Sequence, residues 1–118
     1  MKKFLTIILT LFFSGHVYAE TIYCKVDITF ICSSTECKQT KSEIFVNLDT
    51  ERNTYQRGDS KGIDTYNMSM YKSGNFVNAE VAGSASLKID IADTMNFVEI
   101  VQLGLTTYNN FGKCKLST

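Results

Sequence analysis

Beyond residue 20, apolar and polar residues alternate with a period of two over most of the chain. Val26, Ile28 and Phe30 are separated by Asp27 and Thr29, and Ile44, Val46 and Leu48 recur around Asn47. Tyr66, Met68 and Met70 alternate with Asn67 and Ser69; Val77, Ala79 and Val81 with Asn78 and Glu80; Leu87, Ile89 and Ile91 with Lys88 and Asp90. Successive side chains of a strand point to opposite faces, so each run predicts a half-buried strand with its apolar set inward. Val98 and Ile100 are expected to face inward opposite Glu99, although Phe97 and Val101 make that strand apolar on both faces. No stretch sustains the i, i+3, i+4, i+7 spacing of an amphipathic helix.

Turn chemistry separates the runs. Residues 49–53, 58–62, 73–75, 82–84, 92–96 and 109–112 carry Gly, Asn, Asp or Ser, which supply left-handed backbone or cap their own turns. Connections this short make neighbouring strands antiparallel. The pattern predicts an all-β fold, an antiparallel meander of about eight short strands. Curling into a small closed barrel hides the edges of such a sheet; a β-sandwich is the alternative.

The N-terminus has a different pattern. Lys2 and Lys3 precede the apolar run Phe4 to Phe13, which only Thr6 and Thr10 interrupt. Val17-Tyr18-Ala19 then sets β-branched and small residues three and one positions before a cut at Glu20. This layout predicts a secretory signal peptide over residues 1–19. The run is about half the roughly 20 residues of a membrane span, so no membrane anchor is expected after cleavage. The first cysteine, Cys24, is too far past Ala19 for a lipid anchor. Residues 20–118 then form a single disulfide-containing all-β domain in the periplasm or outside the cell.

Removing Lys2 and Lys3 from a chain with twelve basic and twelve acidic residues leaves that domain at about −2. No basic patch is present to neutralise phosphates, so nucleic acid is not expected as a partner.

The four cysteines are Cys24, Cys32, Cys37 and Cys114. In an exported chain an even number reads as disulfides. Three pairings exist. Cys32 and Cys37 flank a short turn, and Cys24 and Cys114 fall in the first and last expected strands, so Cys32–Cys37 and Cys24–Cys114 are favoured. The spacing does not supply the close pairs of a zinc site or the C-x-x-C of a redox enzyme.

The only histidine, His16, lies in the segment expected to be removed. Histidine-based nucleophilic catalysis and histidine-bound metals are therefore not expected. Asp49 with Glu51, and Asp59 with Asp64, flank turns and are the remaining carboxylate pairs. A small closed sheet offers them little of the cleft that glycoside hydrolysis needs. The chain is expected not to be an enzyme, with no metal or cofactor. Tyr55, Tyr66, Tyr71, Phe76, Phe97, Tyr108 and Phe111 are candidates for a sugar- or protein-binding face, weighed against core packing. Lys72, Ser73 and Gly74 form a turn that can protrude into a partner's cleft.

Tyr23-Cys24 at the start and Gly112-Lys113-Cys114 at the end resemble the termini of small exported bacterial β proteins. With Ser73-Gly74, the layout loosely resembles the periplasmic inhibitors of c-type lysozyme. That resemblance implies an eight-stranded barrel with a disulfide near its termini and an inhibitory Ser-Gly turn. Phe76 stands where that family has a nearby Tyr, and the chain has no Trp for its second motif. The function expected is a protein-binding module, including inhibition of an envelope or host enzyme. A lipocalin-like carrier of a small apolar ligand is the alternative.

Overall fold

A computed structural model describes residues 21–117, and the expected signal peptide lies outside the described residues. The described chain forms ten strands. They are β1 Thr21–Cys32, β2 Cys37–Thr40, β3 Phe45–Asp49, β4 Thr54–Asp59, β5 Gly62–Asn67, β6 Ser69–Ser73, β7 Phe76–Val81, β8 Ala85–Asp90, β9 Asn96–Leu103 and β10 Thr106–Ser117. All pairings are antiparallel. The order across the sheet is β5-β4-β3-β1-β10-β9-β8-β7-β6, with β2 paired to the far end of β1.

Ten strands reduce to eight around the sheet. β2 is a side strand, and β5 and β6 are two halves of one run joined through Met68. The first half pairs with β4 and the second with β7. Lys25 is matched through Phe45 and Gly58 to Ile63, and on its other side through Lys113 to Asn96. One step beyond Phe97↔Ile89, Asn96 faces Asp90, which leads through Phe76 to Ser73. The circuit thus returns to its own strand ten residues along, the kind of stagger a barrel requires. Closure is nearly complete rather than full, because among the described residues no residue of the 62–73 run is paired on both sides. The Met68 amide donates to the Asn53 carbonyl at 3.0 Å and ties the kink to the β3–β4 turn.

One core fills the interior, built from Ile22, Val26, Val46, Leu48, Tyr55, Met68, Val77, Ala79, Leu87, Ile89 and Phe97 with Cys24 and Cys114. The alternation expected for β3, β7 and β8 holds, since Val46, Leu48, Val77, Ala79, Leu87 and Ile89 all point inward. Both favoured disulfides are present, Cys24–Cys114 and Cys32–Cys37. Each joins directly opposed residues of paired strands. Two structural disulfides belong to an oxidising, extracytoplasmic compartment.

Three expectations need correction. Ile28 and Phe30 do not join Val26 inside. Phe111 pairs with Ile28 but Gly112 pairs with Val26, so Asp27 is an extra residue in β1. A β-bulge of this kind reverses the facing of everything beyond it, which buries Thr29 and turns Ile28 and Phe30 outward. Second, residues 109–112 are not a turn but the middle of β10. The connection comes earlier, at Gly104-Leu105, where Gly104 takes φ 63°. Gly112 serves the bulge instead, because a Cβ there would lie 2.0 Å from the Lys25 carbonyl oxygen. Third, β9 faces the opposite way from expectation. Leu87 and Ile89 point inward, and their partners Glu99 and Phe97 must follow, leaving Val98 and Ile100 outside.

Candidate binding groove

The sharpest departure from a plain apolar core is Glu99, fully buried on β9. Its row continues laterally through Asn110 on β10 to Thr29 on β1. Asn110 Nδ2 donates to Glu99 Oε1 at 2.7 Å, and Thr29 Oγ1 donates to Asn110 Oδ1 at 2.6 Å. From the other wall, Tyr55 Oη donates to Glu99 Oε2. Arg57 Nε lies 3.3 and 3.2 Å from the two carboxylate oxygens. Burial, and then the charge of Glu99, hold the Tyr55 phenol far above its ordinary range. The cluster satisfies an otherwise costly buried charge with donors from β4 and β10, and Thr29 on β1 holds Asn110 in place. With Glu99 closed to water, the arrangement ties strands together across the barrel.

The outer face offers access. On β7, Val77 and Ala79 enter the core, so Asn78 and Glu80 point outward. Paired positions set Tyr71, Asn78, Lys88 and Val98 in one row across β6 to β9, with Glu80, Ser86 and Ile100 in the next. These side chains line a groove of about 360 Å³. Its floor is unusual: Asn78 is only 7% exposed although it faces away from the core. Among the described residues no hydrogen bond reaches its carboxamide, whereas most buried side-chain amides are paired. Tyr71 and Lys88 are its cross-strand neighbours on either side. The Lys88 ammonium sits 5.5 Å from the Phe76 ring centroid.

Beyond Val98 the outward face stays apolar through Phe111 and Ile28, while beyond Ile100 the polar Asn109 stands before Phe30. Phe30 and Phe111 pack edge to face at 5.9 Å. The bulge at Asp27 creates this band, since without it Ile28 and Phe30 would point inward.

Lys72, Ser73 and Gly74 form the exposed tip of the β6–β7 hairpin, one residue past Tyr71. Gly74 takes φ 62° at the first position of the two-residue loop, as a type II′ turn demands. Of the candidate aromatics, Tyr55 and Phe97 are core, Tyr108 is half-buried, and Tyr66, Tyr71, Phe76 and Phe111 are exposed. The carboxylates serve their turns. Asp49 accepts from the amides of Glu51 and Arg52 at 3.0 and 3.1 Å, and Asp59 from that of Lys61 at 2.8 Å. Among the described residues no three His, Cys, Asp or Glu side chains gather as a metal site.

Neither the groove nor the Glu99 cluster was foreseen. Asn78 and Glu99 each read as the polar member of an alternating strand. The signal for Glu99 was present in its flanks, where Phe97 and Val101 compete with Val98 and Ile100 for the inner face. No protein-family model, curated protein or solved structure matches the chain.

Proposed function

We propose that the protein is an exported protein-binding module that acts in the periplasm or outside the cell without catalysis. Its docking face is the outer groove of β6–β9, flanked by the Lys72-Ser73-Gly74 tip. The observation that carries this reading is the groove itself, with a buried amide at its floor that is unpaired among the described residues and exposed Tyr71 and Ile100 beside it. Protein interfaces favour Tyr, Phe and apolar residues at the centre and leave charge to the rim, here Glu80 and Lys88. The carrier alternative is less favoured. Tyr55, Leu48, Ile89, Val26 and Val46 are fully buried inside the barrel with the Cys24–Cys114 disulfide, and a small barrel so filled holds its own side chains rather than a ligand.

The test is photo-crosslinking in the cell envelope from position 71, followed by binding of the captured protein in purified form. Saturable binding weakened by Ile100→Asp and Ser73→Arg supports the reading. Binding indifferent to both, or capture of nothing, overturns it. Inhibition of c-type lysozyme, lost in Ser73→Arg, would identify the partner as that enzyme.

A further inference from the structure

We infer that the groove holds an extended segment of the partner by its main chain, on the carboxamide of Asn78. This rests on the protein-binding reading and adds the chemistry of what is bound. A carboxamide presents one acceptor oxygen and two N–H donors. In an extended chain the N–H and C=O of one residue point to the same side, so one Asn side chain can make both bonds to that residue at once. Asn78 is 7% exposed, points away from the core between Val77 and Ala79, and receives no hydrogen bond among the described residues. A polar group left buried and unpaired weakens the free protein, and that cost is recovered when a ligand supplies the missing partners.

The walls fit an extended chain. Strand spacing of about 4.8 Å places the row from Tyr71 to Val98 over about 14 Å, the reach of about four extended residues. Alternate side chains of such a segment would meet Tyr71 on β6 and Val98 and Ile100 on β9. The apolar band continues past the groove through Phe111, Ile28 and Phe30, a landing surface for more of a protein chain. A glycan would use the polar groups but leave that band uncovered. Main-chain bonds for affinity with side-chain pockets for specificity are an established way of reading extended peptides.

The experiment follows the side-chain amide resonances of the oxidised protein, isotopically labelled at asparagine, by nuclear magnetic resonance. The probes are the capped peptide acetyl-Val-Thr-Val-Thr-Val-amide, the same peptide methylated at each main-chain nitrogen, and chitotetraose, at millimolar concentration. The expected result is that the Asn78 amide pair shifts with the first peptide and that Asn78→Ala weakens binding about ten-fold. Main-chain methylation should cost as much. Asn78→Asp, which keeps the shape but loses the donors, should weaken binding too, with thermal unfolding as the check on folding. A peptide affinity unchanged in Asn78→Ala overturns the inference, as does an Asn78 pair that moves with chitotetraose alone or with none of the three. If the captured partner still needs Ile100 but not Asn78, the inference fails and the protein-binding reading stands.

Discussion

Arg57 on β4 and Glu99 on β9 meet inside the barrel, with Nε 3.2 Å from Oε2. The two strands are far apart in the sheet order, so the pair spans the interior rather than lying along one wall. Arg57 retains some solvent contact while Glu99 has none. A buried carboxylate of this kind is tolerated because Tyr55, Asn110 and Arg57 all donate to it. Removing it strands three donors at once. Glu99→Ala is expected to cost about 3–5 kcal/mol. Tyr55→Phe, which removes one donor and leaves the ring, should cost about 1–2 kcal/mol. Urea unfolding of the oxidised proteins measures both, and equal costs would mean that the carboxylate is not the centre of the network.

The same contact makes stability depend on alkaline pH. The Tyr55 phenol has its pKa raised above the ordinary 10.0, by burial first and by Glu99 next. A pKa raised in the folded state means that the native protein keeps a proton the unfolded chain gives up. Below about pH 10 both states hold it, and the contribution is fully present. Above that, stability should fall by about 1.4 kcal/mol per pH unit from this group alone. Tyr55→Phe should remove that part of the slope. A mutant with the wild-type slope between pH 10 and 11 would show that Tyr55 titrates normally.

The two disulfides should contribute unequally. Cys24 and Cys114 are 90 residues apart in sequence, and Cys32 and Cys37 only 5. Chain entropy gives about 4.6 kcal/mol for the longer loop and about 2 for the shorter. The first also sits in the core, while Cys37 is exposed. Replacing Cys24 and Cys114 by Ala should therefore lower the urea midpoint well below that of the Cys32→Ala, Cys37→Ala protein. The reverse order would refute the entropic ranking.

Gly112 tests the bulge. A Cβ at this position would meet the Lys25 carbonyl at 2.0 Å and the Phe97 ring at 2.9 Å. The first contact is backbone held in the β1–β10 ladder, so neither side yields without losing pairing. Gly112→Ala should destabilise by about 3 kcal/mol or more. Gly62→Ala, where nothing lies within 4 Å, should change stability by less than about 0.5 kcal/mol. Chemical denaturation of the two single mutants decides, and near-equal values would mean that the strands part easily at the bulge.

These residues also show which parts of the fold were legible in the sequence. Val77-Asn78-Ala79 and Leu87-Lys88-Ile89 carry one apolar face each, so their facing followed from alternation alone. The cysteine pairs followed from where strands and turns had to fall. Alternation fails where a strand is apolar on both faces, as at Phe97 to Val101, because the neighbouring strands then decide. It also fails at Asp27, since a bulge shifts the period without any residue that announces it. Gly112 marks that bulge from the partner strand, but in sequence it reads as turn chemistry beside Asn109 and Asn110. Tyr66, Met68 and Met70 read as one alternating strand, and nothing in that alternation marks the kink at Met68 that divides the run into β5 and β6. The groove was hidden for a further reason. Its lining comes from four strands whose outward residues only their registers bring together.

Asn78 separates function from stability most directly. Its carboxamide is buried and receives no hydrogen bond among the described residues, a burden of about 1–3 kcal/mol. Its neighbours on β7, Val77 and Ala79, already anchor the strand in the core, to which Asn78 does not belong. Valine suits a half-buried strand better than asparagine does. Asn78→Val is therefore expected to raise stability by about 1 kcal/mol, read as a higher urea midpoint with an unchanged slope. Most substitutions destabilise, so a gain here identifies a residue kept for another purpose. The same substitution should abolish peptide binding in the groove. A loss of stability would show instead that the Asn78 amide is satisfied in the free protein, by ordered water in the groove, and that it serves the fold.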